Sequence, residues 1–172
     1  DVLDGVVDVV DLPAAPQLTP DPHRPQAATN LYELAQDLRT RGHELPLLIR
    51  FSDIVAHPIK RINESFRRAI AEYEYTGAYR GVFPVKVNQQ RHLIEEIVEF
   101  GRAWQYGLEA GSKPEFLIAL AMMQDAGGLI ICNGYKDQNY IETALVAQKF
   151  DKTVIVVLER IEELDVALRA SE

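Results

Sequence analysis

Apolar positions along this chain follow two alternating patterns, short continuous runs and longer stretches apolar on one face only. "LPLLIRF" (45–51), "GVFPVKV", "WQYGLEA", "GLIICN" and "TVIVVLE" are short runs rich in β-branched and aromatic residues, and they predict five strands. A helical spacing follows each. Ser52 or Asp53 opens a long helix with Ile59, Ile62, Phe66 and Ile70 on one face. Later helices carry Leu93, Ile94, Ile97 and Val98, then Phe116, Leu117 and Leu120, then Ile141, Ala144 and Leu145 from about Asp137, and last Ile161, Leu164 and Leu168. "SKPE" (112–115) reads as a capping box, Ser112 to Glu115, with Pro114 tolerated in the first turn. Upstream, Asn30 caps a helix with Leu31, Leu34, Ala35 and Leu38 on its apolar face, Glu33 at the capping-box position and Gly42 as its stop.

Strand starts at Val82, Gln105, Leu129 and Thr153 are 23, 24 and 24 residues apart. Near-equal βα units with continuously apolar strands predict an α/β fold, a parallel sheet covered by helices. A (β/α)8 TIM-type barrel repeats at this interval but needs eight units and about 250 residues. About five units are visible, so periodicity leaves two readings open: part of a barrel, or an open doubly wound sheet. The first 30 residues differ. "GVVDVVDL" resembles a short strand, and Pro13, Pro16, Pro20, Pro22 and Pro25 mark an extended arm or linker. The expected organisation is therefore 1–30 as N-terminal strand and proline-rich arm, part of a β-domain or linker, and 31–172 as the N-terminal part of an incomplete barrel.

Composition narrows the class of protein. The net charge of −8 argues against nucleic acid, whose partners show a basic stripe. No segment approaches the roughly 20 apolar residues that span a bilayer, and no basic n-region precedes an apolar one. Neither a membrane partner nor a signal peptide is expected, and the default location is cytoplasmic. The single cysteine, Cys132, excludes an internal disulfide and reads as a small core hydrophobe in "GLIICN". The four histidines show no metal-ligand spacing. No GxGxxG or GxxxxGK[ST] motif supports a nucleotide-phosphate cradle.

Parallel α/β folds place their sites at the carboxyl ends of the strands. Read in order, those ends carry Lys86 with Asn88, then Glu109, then Asn133 with Lys136, then Glu159. Glu159 is also explained as a carboxylate at a helix start. Lys86 stands among apolar residues and, by strand alternation, shares a face with Val82 and Pro84, opposite Phe83, Val85 and Val87. A lysine so shielded can lose its proton and form a Schiff base, or its head can snorkel to water.

Three segments, "FPVKVNQQR", "GLEAGSKPE" and "ICNGYKDQNYIETAL", resemble in order and spacing the motifs of the biosynthetic arginine decarboxylases. These pyridoxal-phosphate enzymes have an alanine-racemase-like barrel. The resemblance runs from about Leu31 onward. It implies conversion of L-arginine to agmatine and CO2 at the entry to polyamine (spermidine) synthesis, with pyridoxal phosphate and Mg2+. It implies Lys86 as the lysine carrying the cofactor as a Schiff base, Glu109 and Glu115 as carboxylates beside it, and Asn88 and Asn133 as residues lining the pocket. Glu115 is independently explained as the partner of Ser112. The family is expected to form homo-oligomers, dimers or tetramers. Its glycine-rich phosphate loop, the acid pairing with the pyridine nitrogen, and the substrate-selecting residues have no counterpart here. The 172 residues alone are therefore expected to be inactive. Alternatives are decarboxylation of another basic amino acid (ornithine, lysine or diaminopimelate), or a non-catalytic homologue acting by binding or assembly.

Overall fold

The structure, a computed structural model, describes residues 30–123 and 127–171. The strand and proline-rich arm expected within residues 1–30 lie outside the described residues. The chain divides into two compact units between Phe51 and Ser52.

In the first unit, helix α1 (Leu31–Thr40) is capped by Asn30, whose side-chain oxygen accepts the N–H groups of Tyr32 and Glu33. Leu38 is buried. Gly42, at φ +95°, ends the helix as expected. Residues 45–51 form no strand, against expectation. β-branched composition suits a pleated surface but does not supply a neighbouring strand, and Pro46 has no N–H to donate.

The second unit runs α2 (Ser52–Glu72), β1 (Val82–Pro84), α3 (Arg91–Gly101), β2 (Gly107–Ala110), α4 (Lys113–Met122), β3 (Leu129–Cys132), α5 (Gln138–Gln148), β4 (Thr153–Val156) and α6 (Glu162–Ser171). The four strands pair in parallel in the order β1-β2-β3-β4. Doubly wound sheets reverse strand order at a switch point, whereas a barrel adds each new strand beside the last. The described strands show no reversal. They run in the order that an arc of a barrel has, with four βα units rather than five because no strand forms over residues 45–51.

The core lies between this arc and helices α3, α4 and α5. Ile94, Val98, Phe116, Ala119, Tyr140, Ala144 and Ala147 pack from the helices onto Val85, Leu108, Ala110, Ile130, Cys132 and Val154. Several helix faces depart from expectation: Leu31 on α1 and Leu117 on α4 are exposed. On α2 the buried residues are Ile59 and Asn63, while Ile62 and Phe66 are exposed and the Phe66 ring stacks flat on Tyr79 at 3.9 Å. The helix is apolar over more than one stripe, and α3 covers only one of them. Ile161 lies just before α6 and is exposed, as are Leu164 and Leu168 on it, and the buried residue of α6 is Glu163.

"WQYGLEA" becomes a strand only from Gly107. Residues Arg102–Trp104 form a 3-10 turn, and Gln105 takes the left-handed conformation at φ +52°. Gly107 is where β2 must pass close to β3, for a Cβ there would lie 2.0 Å from the Leu129 carbonyl oxygen. Backbone cannot swing aside as a side chain can. Gly107→Ala is therefore expected to cost about 2 kcal/mol through overpacking, read as a lower urea midpoint in the full-length chain. An unchanged midpoint would show that the two strands separate freely.

Candidate active site

Strand β1 stops at Pro84, and residues Val85–Val87 form one 3-10 turn. Three residues per turn send successive side chains in three directions. Val85 is fully buried, Val87 is exposed, and the Lys86 side chain is 61% exposed. This corrects the alternation expected from the sequence. Lys86 is not on the strand, and Val85 and Val87 do not share a face. Asn88 ends the turn, and its side-chain oxygen accepts the Gln90 N–H at 3.0 Å, leading the chain into α3.

Register brings the next residue to Lys86. Pro84 pairs with Glu109 across the sheet, and Glu109 is only 4% exposed. Glu109 Oε1 lies 3.6 Å from Lys86 Nζ and accepts a hydrogen bond from Asn133 Nδ2 at 3.0 Å. Ala110 pairs with Cys132, so Asn133 emerges beside them, and its N–H donates to the Ala110 carbonyl at 2.8 Å. Because Lys86 is largely in water, its pairing with Glu109 adds little stability. Its effect is positional.

Glu109 Oε2 is buried and has no hydrogen-bond partner. An orphaned buried acceptor costs about 1–3 kcal/mol, so it marks a place where a donor is missing. Beside the other oxygen, Oε1, Gly111 leaves room for a methyl group. A Cβ on Gly111 would lie 3.5 Å from Glu115 Oε2, 3.8 Å from Glu109 Oε1 and 4.0 Å from Lys86 Cδ. Without that Cβ, the gap between these three side chains stays open.

Glu115 takes the expected capping role in a shifted form. Ser112 Oγ accepts the Glu115 N–H at 3.4 Å, while Glu115 Oε2 accepts the N–H of Gly111, one residue before the cap, at 2.8 Å. The structure thus gathers Lys86, Glu109 and Asn133 into one group, joined by an ion pair and a hydrogen bond, with Glu115 across Gly111. The oxygen of Asn88 is turned to the start of α3.

Sequence reasoning noted Lys136 and Glu159 at strand ends but passed over Glu163. Lys136 and Glu163 are 1% and 2% exposed and form an ion pair at 3.4 Å. Burial pushes the Glu163 carboxyl up, but the N–H groups of Glu159 and Lys136 and the Lys136 charge together hold it below the usual carboxylate range. Glu159 itself accepts the Gly134 N–H at 2.5 Å. Cys132 is buried in the core, and burial pushes its thiol up, away from reactivity. The Tyr140 hydroxyl donates to the Ala110 carbonyl at 3.2 Å. Burial, then the adjoining Cys132, raises its phenol well above the ordinary range.

A hollow lined by Arg67, Tyr79, Arg80, Trp104 and Gln105 opens before β1 and β2, at the end of the strands opposite Lys86. Among the described residues, no three His, Cys, Asp or Glu side chains meet to hold a metal, and no helix is long and apolar enough to cross a membrane.

Residues 59–171 match the family model described as "Pyridoxal-dependent decarboxylase, pyridoxal binding domain". The chain belongs to this family. Within the pyridoxal-dependent decarboxylases it is 60% identical over 143 residues to the biosynthetic arginine decarboxylase of Gloeobacter violaceus, a match covering 83% of this chain and 22% of that protein. To the biosynthetic arginine decarboxylase of a Nostoc species it is 58% identical over 142 residues, covering 83% and 21%. The crystal structure of the biosynthetic arginine decarboxylase SpeA from Campylobacter jejuni superposes with a TM-score of 0.77 at 33% identity, covering 82% of this chain and 24% of that one. The chain thus spans about a fifth of the length of the curated relatives it matches. The resemblance read from the three motifs stands, and so does the α/β fold, shared with a solved arginine decarboxylase.

Proposed function

We propose that this chain supplies the cofactor-bearing lysine of a pyridoxal-phosphate decarboxylase that converts L-arginine to agmatine and CO2, an entry to polyamines and so to spermidine. The observation that carries this reading is the group formed by Lys86, Glu109 and Asn133 with the orphaned Glu109 Oε2. It fits the cofactor. Lys86 offers an amine at the open end of the sheet, Gly111 leaves room beside it, and a buried carboxylate oxygen lacks a donor.

Lys86 would hold pyridoxal phosphate through its amine. The cofactor, when bound, supplies a sink for the electrons left by departing CO2. The chain's own residues then do three things. Glu109 sets its carboxylate 3.6 Å from Nζ and so positions the amine. Asn133 keeps Glu109 aimed at it. Glu115, fixed on the Gly111 N–H, bounds the gap on its far side.

L-arginine as the substrate is supported by the names of the relatives in Gloeobacter and Nostoc. The same reading includes an arm up to residue 30 before the barrel portion, a homo-oligomer of two or four chains and a cytoplasmic location. It includes no nucleic-acid partner, which the charge of −8 supports. Mg2+ belongs to the same reading, as the resemblance implies.

The test is product formation by the full-length protein loaded with pyridoxal phosphate. L-arginine should be turned over on the order of 10^4-fold faster than ornithine, lysine or diaminopimelate, since a site built to bond one side chain rejects analogues lacking its polar groups. Faster turnover of one of those three would transfer the reading to that substrate. No CO2 release from any of them would leave a binding or assembly role.

A further inference from the structure

The Lys136–Glu163 pair takes no part in the reading above, yet it is the most completely buried pair of opposite charges among the described residues. Burying two charges is costly, and replacing such a pair by apolar residues of similar volume is often neutral or stabilising. Stability is therefore a poor reason for it to be there. What apolar residues could not supply is its set of bonds. Glu163 Oε1 accepts the Lys136 N–H at 3.0 Å, and Oε2 accepts the Glu159 N–H at 2.9 Å. Lys136 Nζ donates to the Gly134 carbonyl oxygen. Every one of these bonds ends on backbone of the loop after β3 or the loop after β4.

The loop after β3 meets the candidate site at close range. Gly134, at φ +72°, presses on Gly111 so tightly that a Cβ there would lie 2.2 Å from the Gly111 carbonyl oxygen. The Gly134 N–H is held by Glu159. One residue earlier, Asn133 holds Glu109, which faces Lys86. A continuous path of bonds and backbone thus runs from the first turn of α6 to the Lys86 amine.

We propose that Lys136 and Glu163 are positioning residues, whose buried pair fixes the loop after β3 so that Asn133 holds Glu109 against Lys86. The proposal rests on the reading of Lys86 as the cofactor lysine. It assigns the pair to the geometry of the site rather than to the strength of the fold.

The experiment uses the full-length protein loaded with pyridoxal phosphate and compares wild type, Lys86→Ala and the paired variant Lys136→Met with Glu163→Leu. In the paired variant the imine absorbance should persist, because Lys86 is intact. The induced circular dichroism per bound cofactor should fall by about half or more, and kcat by about tenfold, the scale of lost outer-shell support. Wild-type dichroism and kcat in the paired variant, even with a lower unfolding temperature, would overturn the proposal and leave the reading of Lys86 in place. An imine band that survives Lys86→Ala would remove that reading, and this proposal with it. Should the paired variant not fold, Glu163→Gln keeps the shape and removes the charge. Wild-type values there would count equally against the proposal.

Discussion

Full-length protein carrying Lys86→Ala is expected to show no imine absorbance with pyridoxal phosphate and to lose turnover on the order of 10^4-fold or more, the scale seen when a covalent catalyst is removed. Among the described residues, no other lysine near the group is placed to substitute. Lys136 is buried and committed to Glu163 and Gly134, and Lys113 is bonded to Asn139 on the start of α5. The fold should survive, because the Lys86 side chain is largely in water and its ion pair contributes at most about 1 kcal/mol. Absorbance and unfolding temperature therefore separate a lost cofactor bond from a lost structure. Lys86→Arg sharpens the result. Arginine keeps the positive charge beside Glu109 but does not deprotonate in proteins, so it cannot form the imine. If charge alone mattered, Lys86→Arg would retain activity. It is expected to match Lys86→Ala in both absorbance and turnover, and imine formation by either variant would end the assignment.

That Lys86 could be singled out from sequence at all follows from contrast. A strongly hydrated ammonium amid Val82, Phe83, Val85 and Val87 stands out whether it snorkels or reacts, and its type was legible even though its backbone was not. Alternation placed it on a strand, whereas the chain had already turned at Pro84 into a 3-10 turn. Local signals with a short-range mechanism carried over well. Asn30, Ser112 and Asp137 cap the helices they were expected to open, because a cap is decided within three residues. Strand order was not legible, since equal βα spacing is the same whether the sheet winds one way or reverses. Residues 45–51 have the composition of a strand but form none, and pairing is a property of two segments. The Lys136–Glu163 pair was invisible for the same reason. The two residues are 27 apart, and charged residues near loops are ordinarily solvated.

Glu109→Gln in the full-length protein is expected to lower kcat by about a hundredfold with little change in KM, within the range for a charge that acts on the reacting centre. The substitution keeps the shape of a side chain that is almost completely buried. Its amide oxygen can still accept from Asn133 Nδ2, so the hydrogen bond across the sheet to the loop after β3 survives. What disappears is the negative charge 3.6 Å from Lys86 Nζ, and an NH2 group replaces the orphaned Oε2. Stability should be unchanged or slightly higher, since a buried carboxylate with one unsatisfied oxygen gives way to a neutral group. Glu109→Ala removes the hydrogen bond as well. It leaves Asn133 Nδ2 without its carboxylate and should lower the unfolding midpoint while costing at least as much activity. The comparison of the two variants separates charge from scaffolding. If Glu109→Gln turns over at the wild-type rate and only Glu109→Ala fails, Glu109 serves to hold the loop after β3, and Lys86 needs no anion from this chain.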